Sequence, residues 1–337
     1  MYQTKINEIN KTPEMLTVEV SRGTTHDGPG IRSTIFAKGC PLSCRWCQNP
    51  ESINPKQEIW YEPGKCAGCL DCVEICRRGA LSPGEAGIEI RREKCAACAA
   101  CAACAACADI CPAKAMTPAG TVWTVDTLFR EVMKDKVYYD ESGGGATVSG
   151  GEPLLHIDFL TELFRKLKAE NIHTALDTCG YIPGETLMKI MPYVDMIMYD
   201  IKLIDPEKHR EMTGRDNRLI LDNLKSLAGY IRKSREEKNR DISLWIRTPL
   251  IPGDTATKEN IGQIAGFILE NIPDVTERWE LCAFNPACAA KYIKMQKAWR
   301  YGKTGVMKRS DTDELIQSAL SLGIPEDKLT VTGLIKQ

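Results

Sequence analysis

The stretch KCAACAACAACAACADICP, Lys94 to Pro112, places six cysteines in nineteen residues and constrains the fold more than any other feature. A segment that puts a thiol at nearly every third position, with alanines between, has little aliphatic bulk for an ordinary core. Ten further cysteines bring the total to 16. The opening residues, MYQTKINEINKTPEM, are polar where an export signal needs an apolar segment, so the expected setting is a reducing cytoplasm. There, many cysteines point to metal or redox chemistry and not to disulfides.

Charge and hydropathy exclude other classes. The net charge of −1 offers no field for nucleic acid or an anionic membrane, and no basic stripe interleaves with aromatics. No apolar run reaches the roughly 18 residues of a membrane helix. At 337 residues, with 43% hydrophobic and 26% charged, the chain suits one large α/β domain carrying a small insertion.

Six short apolar or β-branched runs read as strands: Ser33–Ala37, Ala146–Ser149, His173–Thr178, Met196–Lys202, Ser243–Thr248 and Trp279–Phe284. Amphipathic stretches separate them; Ile157, Leu160, Leu163, Phe164 and Leu167 make one helical face. Such alternation predicts a parallel sheet with crossover helices, either barrel-like or doubly wound. The pattern breaks near Asn54 and resumes after Pro118. The predicted units are therefore 1–54 and 119–337, forming one α/β domain, with 55–118 inserted and stapled by metal clusters.

Cys40, Cys44 and Cys47 form C-x3-C-x2-C just after the first strand. Three thiolates at that spacing suit three corners of a [4Fe–4S] cubane and leave one iron open, whereas electron carriers usually close all four with cysteine. A zinc knuckle or three unrelated thiols is the competing reading, disfavoured because this spacing is uncommon and sits at a strand's C-terminal end, where α/β sites gather. The run, with Trp46 before its third cysteine, resembles the radical S-adenosylmethionine (SAM) superfamily. HDGPGIR (His26–Arg32) stands shortly before it, and SGGGATVSGGEP (Ser142–Pro153), LDTCG (Leu176–Gly180), YDIK (Tyr199–Lys202) and WIRTPLIPG (Trp245–Gly253) follow, all in family order. Together they resemble the activating enzymes of glycyl-radical enzymes, of the pyruvate formate-lyase activating enzyme type.

That resemblance implies a partial (β/α)6, TIM-like radical SAM barrel and a role for each matching position. Cys40, Cys44 and Cys47 would hold the cluster whose open iron is chelated by SAM. Trp46, Cys47 and Gln48 would lie against the nucleoside, and Gly150, Gly151 and Glu152 beside the methionine moiety. Asp200, Ile201 and Lys202 would face the ligand, with Lys202 and Asp27 in the catalytic group and Arg247 near the ligand carboxylate. Residues 26–32 would meet the incoming glycine loop. Asp177, Thr178, Met198 and Asp200 match the positions of a monovalent cation site. Where the family has a histidine, Asn285 stands in LCAFNPAC; an amide keeps a hydrogen bond there but loses the titration. Cys282 and Cys288 read as buried or incidental thiols.

Cys66, Cys69, Cys72 and Cys76 resemble half of a two-cluster ferredoxin, whose fourth cysteine serves the other cluster. The inserted unit would then be ferredoxin-like, with one [4Fe–4S] cluster on Cys66, Cys69, Cys72 and Cys111. Cys76 and three cysteines of the tract would hold another: Cys101, Cys104 and Cys107, or Cys95, Cys98 and Cys101. With the SAM cluster, that makes three. The implied partners are a glycyl-radical enzyme as protein substrate and a reduced flavodoxin or ferredoxin as electron donor. A radical SAM enzyme acting directly on a small molecule, and a simple electron carrier, are the rival readings.

Overall fold

The computed structural model describes residues 13–85, 87–96, 106–237 and 240–336. All six expected strands are present, and they sit side by side because each is an apolar run covered on both faces. In chain order the strands are β1 (Glu14–Thr24), β2 (Arg32–Ala37), β3 (Ile59–Tyr61), β4 (Leu81–Gly84), β5 (Gly87–Ile90), β6 (Met116–Pro118), β7 (Thr121–Thr124), β8 (Gly145–Gly150), β9 (His173–Thr178), β10 (Met196–Asp200), β11 (Ser243–Leu250), β12 (Thr276–Ala283) and β13 (Leu329–Thr332). Nine form one sheet in the order β13-β12-β11-β10-β9-β8-β2-β1-β7. From β2 to β13 every pairing is parallel, while β1 pairs antiparallel with both β2 and β7. The two edge strands do not pair with each other, so the sheet stays open, as a partial barrel does.

Period-two alternation gives the sheet two different faces. Ile35, Val148, Leu176, Ile197, Tyr199, Leu244, Ile246 and Leu281 join the main core beneath the helices. The helix Ile157–Ala169 covers them with Phe159, Leu160, Leu163, Phe164 and Leu167, and Arg218–Glu236 with Leu224, Leu227 and Ile231. On the opposite face Ala175, Met196, Met198 and Trp245 form a separate small cluster. One step further along the strands, that face becomes polar: Asp177, Asp200, Arg247 and Glu280. Register sets the last three abreast, Asp200 opposite Arg247 and Arg247 opposite Glu280.

Between β2 and β7 the chain makes a compact excursion. β3 and β6 zip its two ends together, and β4 and β5 form a hairpin. Its core is small (Ile59, Tyr61, Leu81, Ile88, Ile90, Ala115 and Met116), and the thiols of Cys72 and Cys107 are part of it. A fully buried ion pair, Lys38 to Glu58 at 2.8 Å, bolts the excursion to the end of β2, and the same ammonium donates to the Glu51 carbonyl. Among the described residues no helix is long and apolar enough to cross a membrane.

Candidate active site

The cysteine loop begins where β2 ends, and main-chain bonds pin it from several sides. Gly39 N–H donates to the Ser52 carbonyl at 2.6 Å, Cys40 N–H to Ile53 at 3.0 Å, Ser43 N–H to Thr213 at 2.8 Å and Arg45 N–H to Met212 at 3.0 Å. The SGGEP turn adds two more: Gly151 N–H to Ala37 O at 2.8 Å and Glu152 N–H to Gly39 O at 2.7 Å. These bonds explain both glycines. A Cβ on Gly150 would lie 2.4 Å from Ala37 N, and one on Gly151 only 2.1 Å from Gly39 O. The close approach that requires glycine is therefore to the cysteine loop's own backbone.

Glu152 is fully buried and directed at the next turn. It accepts from Thr178 Oγ1 at 2.8 and 2.9 Å, Cys179 N–H at 2.9 Å and Leu154 N–H at 3.1 Å. Burial raises its carboxyl, while bonds from Cys179, Leu154 and Thr178 oppose that rise. Its work is to tie β9's exit to the cysteine loop. Cys179, not singled out by spacing, hydrogen-bonds the Cys40 sulfur and so draws the Cys40 thiol below its ordinary range.

The polar face supplies the charge. Burial opposes the Lys202 ammonium, but Asp200, with which it is paired, and the thiols of Cys44 and Cys179 hold it above the usual lysine range. Lys202 in turn pulls down the thiols of Cys40 and Cys44, so the Asp-x-Lys pair and the cysteine loop stand side by side. Arg247 is not solvated: its side chain is 16% exposed, 3.4 Å from Asp177, 3.1 Å from Glu280 and 3.9 Å from Asp27. Burial lifts the Asp177 carboxyl to about 6; Arg247 opposes this, and Asp200 adds to it. Ser149 Oγ donates to Asp177 at 2.6 Å. Buried Arg247 Nε and Glu280 Oε2 lack well-aligned hydrogen bonds despite their proximity, as does Trp245 Nε1.

Asp27 reaches this face from the loop before β2, accepting from Thr34 Oγ1 at 2.8 Å. Arg32, at the end of the same loop, is fully buried and spent on structure. Its guanidinium donates to Thr147 Oγ1 at 2.7 Å, Ala146 O at 2.8 Å and Pro29 O at 3.1 Å.

Other expected positions are differently placed. Trp46 is 4% exposed and packs into the main core, away from any open surface. Gln48 and Asn285 do meet, Gln48 Nε2 donating to Asn285 O at 3.2 Å. Ile201 is buried, with its N–H on Arg247 O at 2.9 Å and its carbonyl on Thr248 Oγ1 at 2.8 Å. Of the residues matched to a monovalent cation site, Thr178 is engaged by Glu152 and Asp200 by Lys202. Cys288 is buried but not incidental: its thiol points to Cys47 O at 3.8 Å.

In the excursion, Cys66, Cys69, Cys72 and Cys111 line one cavity together with Tyr61, Pro112 and Met116. Burial raises the Cys72 thiol, and Cys111, Cys66 and Cys69 add to the rise. Cys76 and Cys95 pack at the margin of the small core and Cys107 within it. Cys98, Cys101 and Cys104 lie outside the described residues, so neither expected register is decided.

Both cysteine sets suit iron–sulfur clusters chemically. Burial lifts the Cys44 thiol to about 12 and raises Cys47 further still, so these groups become thiolates when a metal takes the proton's place. Among the described residues no three His, Cys, Asp or Glu side chains converge on a single-ion site. A cubane presents separate iron corners and asks for more widely placed thiols.

The sequence matches a family model described as the radical SAM superfamily over residues 95–263, and a 4Fe-4S single cluster domain over residues 26–76. It is 35% identical over 319 residues to the isethionate sulfite-lyase activating enzyme of Oleidesulfovibrio alaskensis, covering 94% of this chain and 96% of the relative. A relative of the same name from Nitratidesulfovibrio vulgaris is 39% identical over 259 residues, 76% of this chain and 80% of the relative. The trans-4-hydroxy-L-proline dehydratase activating enzyme of Clostridioides difficile is 42% identical over 247 residues, 73% and 76% of the two chains. With the open parallel sheet, the pinned cysteine loop and the charged face beside it, the chain belongs to the radical SAM superfamily and, within it, to the activating enzymes of glycyl-radical enzymes.

Proposed function

We propose that residues 1–54 and 119–337 form the SAM-cleaving domain and that 55–118 form an inserted two-cluster electron relay. The chain's activity is that of its family, activation of a partner glycyl-radical enzyme. When bound, the SAM cluster supplies one electron that cleaves SAM to methionine and a 5′-deoxyadenosyl radical, which takes a hydrogen atom from the partner's glycine.

The observation that carries this assignment is the charged face of the sheet, on which Lys202 and Asp200 lie beside Cys40 and Cys44 and Arg247 lies among Asp27, Asp177 and Glu280. SAM is a sulfonium zwitterion with a net positive charge, and the face carries four carboxylates, Asp27, Asp177, Asp200 and Glu280, against Arg247 and Lys202. That excess of negative charge suits a cationic ligand, and the two cations suit its carboxylate. Cys40, Cys44 and Cys47 are the cluster ligands. Asp27 reaches the face from the 26–32 loop, where a glycine loop would enter. Gln48 and Asn285 bound the nucleoside side. A glycine is the fitting hydrogen donor, because its Cα bears no side chain to obstruct the approach.

Cys66, Cys69, Cys72 and Cys111 hold one inserted cluster; their common cavity supports the set. Cys76 and tract cysteines hold the other. Electrons enter from a reduced flavodoxin or ferredoxin in the cytoplasm. The test is 5′-deoxyadenosine release from anaerobically reconstituted, reduced protein given SAM. Release should vanish in Cys44→Ala, and retained release there would overturn the ligand assignment.

A further inference from the structure

Residues 284–301, after β12, join two parts of the molecule that the sheet does not connect. At one end they grip the cysteine loop through its main chain. Tyr292 OH donates to Cys47 O at 2.9 Å, Cys288 Sγ approaches the same oxygen at 3.8 Å, and Trp299 Nε1 donates to Arg45 O at 3.1 Å. Lys291 Nζ donates to Asn49 Oδ1 at 2.6 Å and to Glu51 Oε1 at 2.7 Å.

At the other end they hold the excursion. Gln296 accepts from Ile90 N–H at 3.1 Å and donates to Ile88 O at 2.8 Å, extending β5 on the side away from β4. Arg92 donates to Met295 O at 2.7 Å and, from the same guanidinium, to Ile59 O at 3.0 Å. Gln296 has φ +52°, a left-handed conformation an L residue adopts only when its surroundings fix it. Tyr292 and Trp299 stack at 4.8 Å and 10°, so the outgoing helix (Ala289–Lys294) and the returning chain move as one body.

We infer that this segment is a strap through which the inserted unit sets the position of the SAM-cluster loop, with Tyr292 and Gln296 as positioning residues. The inference rests on the reading of Cys40–Cys47 as that loop. The bonds fall on the carbonyl of Cys47, itself a cluster ligand, and on that of Arg45, next to Cys44, and such outer partners orient ligands in metal sites generally. A three-cysteine site has no fourth protein ligand to fix it, so its geometry depends more on these carbonyl contacts.

Two substitutions in the full reconstituted chain test it: Gln296→Met, of similar length but unable to bond β5, and Tyr292→Phe, which removes only the hydroxyl. The readouts are hydrogen exchange of amides 44–48 and the change in the cluster's EPR spectrum on adding SAM, with iron content measured alongside. Both substitutions should speed exchange at 44–48 by about threefold to tenfold, the equivalent of one ordinary hydrogen bond. Both should also diminish the SAM-dependent spectral change while iron content stays at wild type. Gln296→Glu, which keeps the acceptor for Ile90 N–H, should fall between wild type and Gln296→Met. The inference is overturned if Gln296→Met loosens only residues 87–92 and leaves 44–48 and the spectral change as in wild type. Failure of the underlying assignment looks different: Cys44→Ala would then retain the SAM-dependent spectral change.

Discussion

Gly151→Ala is a one-carbon change with a calculable consequence. The new Cβ would stand 2.1 Å from Gly39 O, 2.7 Å from Gly39 C and 2.9 Å from Ser52 O, all main-chain atoms that cannot rotate aside. Against a floor of 3.0 Å, the turn or the cysteine loop must yield by about 0.9 Å. Overpacking of this kind costs about 1–3 kcal/mol. A shift of that size also weakens Gly151 N–H to Ala37 O and Glu152 N–H to Gly39 O, each worth about 0.5–1.5 kcal/mol. The expected loss is therefore about 2–6 kcal/mol, and it falls beside Cys40. Anaerobic urea unfolding should show a lowered midpoint, and the reconstituted variant should bind SAM weakly. Gly229→Ala is the matched control: its Cβ meets nothing within 4 Å in the helix Arg218–Glu236, so it should gain about 0.5–1 kcal/mol. If Gly151→Ala unfolds at the wild-type midpoint and binds SAM normally, the argument that this glycine exists to admit the Gly39 backbone is refuted.

Four other outcomes are expected. Because burial lifts the Asp177 carboxyl to about 6, its charge is absent below that pH and present above it; SAM affinity should rise as pH passes upward through about 6, and calorimetry should find a flatter profile in Asp177→Asn. The same raised value means that between about pH 4 and 6 the folded chain holds a proton the unfolded chain has released, so urea-measured stability should fall as pH rises across that window, less so in Asp177→Asn. Lys38→Met strands the buried Glu58 and should cost about 3–5 kcal/mol by urea unfolding, with Glu58→Gln added to it recovering most of the loss. Cys111→Ser should remove one cluster's worth of iron while the SAM-dependent EPR change persists, measured on the same sample.

Much of this architecture was legible because parallel strands buried on both faces leave continuous apolar runs, as in Thr34–Ala37 and Met196–Tyr199. Strands β1 and β13 were not: β1 is half exposed along much of its length and β13 is half-buried throughout, so each takes its identity from a partner strand and not from an apolar run. Spacing singles out Cys40–Cys47 and Cys66–Cys76 as groups, whereas Cys111, distant along the chain, meets Cys66, Cys69 and Cys72 only at a cavity made by the fold. Trp46 was misleading: its position beside Cys47 suggested a ligand contact, but the path of the pinned loop turns the indole into the core. Arg247 was expected near the ligand carboxylate, and only the register placing Glu280 opposite it shows why it is buried. Gly150 and Gly151 were read as making room for a ligand, and the room is filled by Ala37 and Gly39. Nothing local marked Tyr292 or Trp299, whose partners are carbonyls some 245 and 254 positions away.

Hydrogen transfer from a partner's glycine to the adenosyl carbon of SAM can be followed by isotope labelling. The reduced chain would be incubated with SAM and each glycyl-radical enzyme that the named relatives activate, every partner carrying glycine deuterated at Cα. The account predicts, for its cognate partner, a glycyl-radical EPR signal and deuterium in the 5′-deoxyadenosine released. Unlabelled 5′-deoxyadenosine accompanied by a glycyl-radical signal would contradict direct transfer from that glycine.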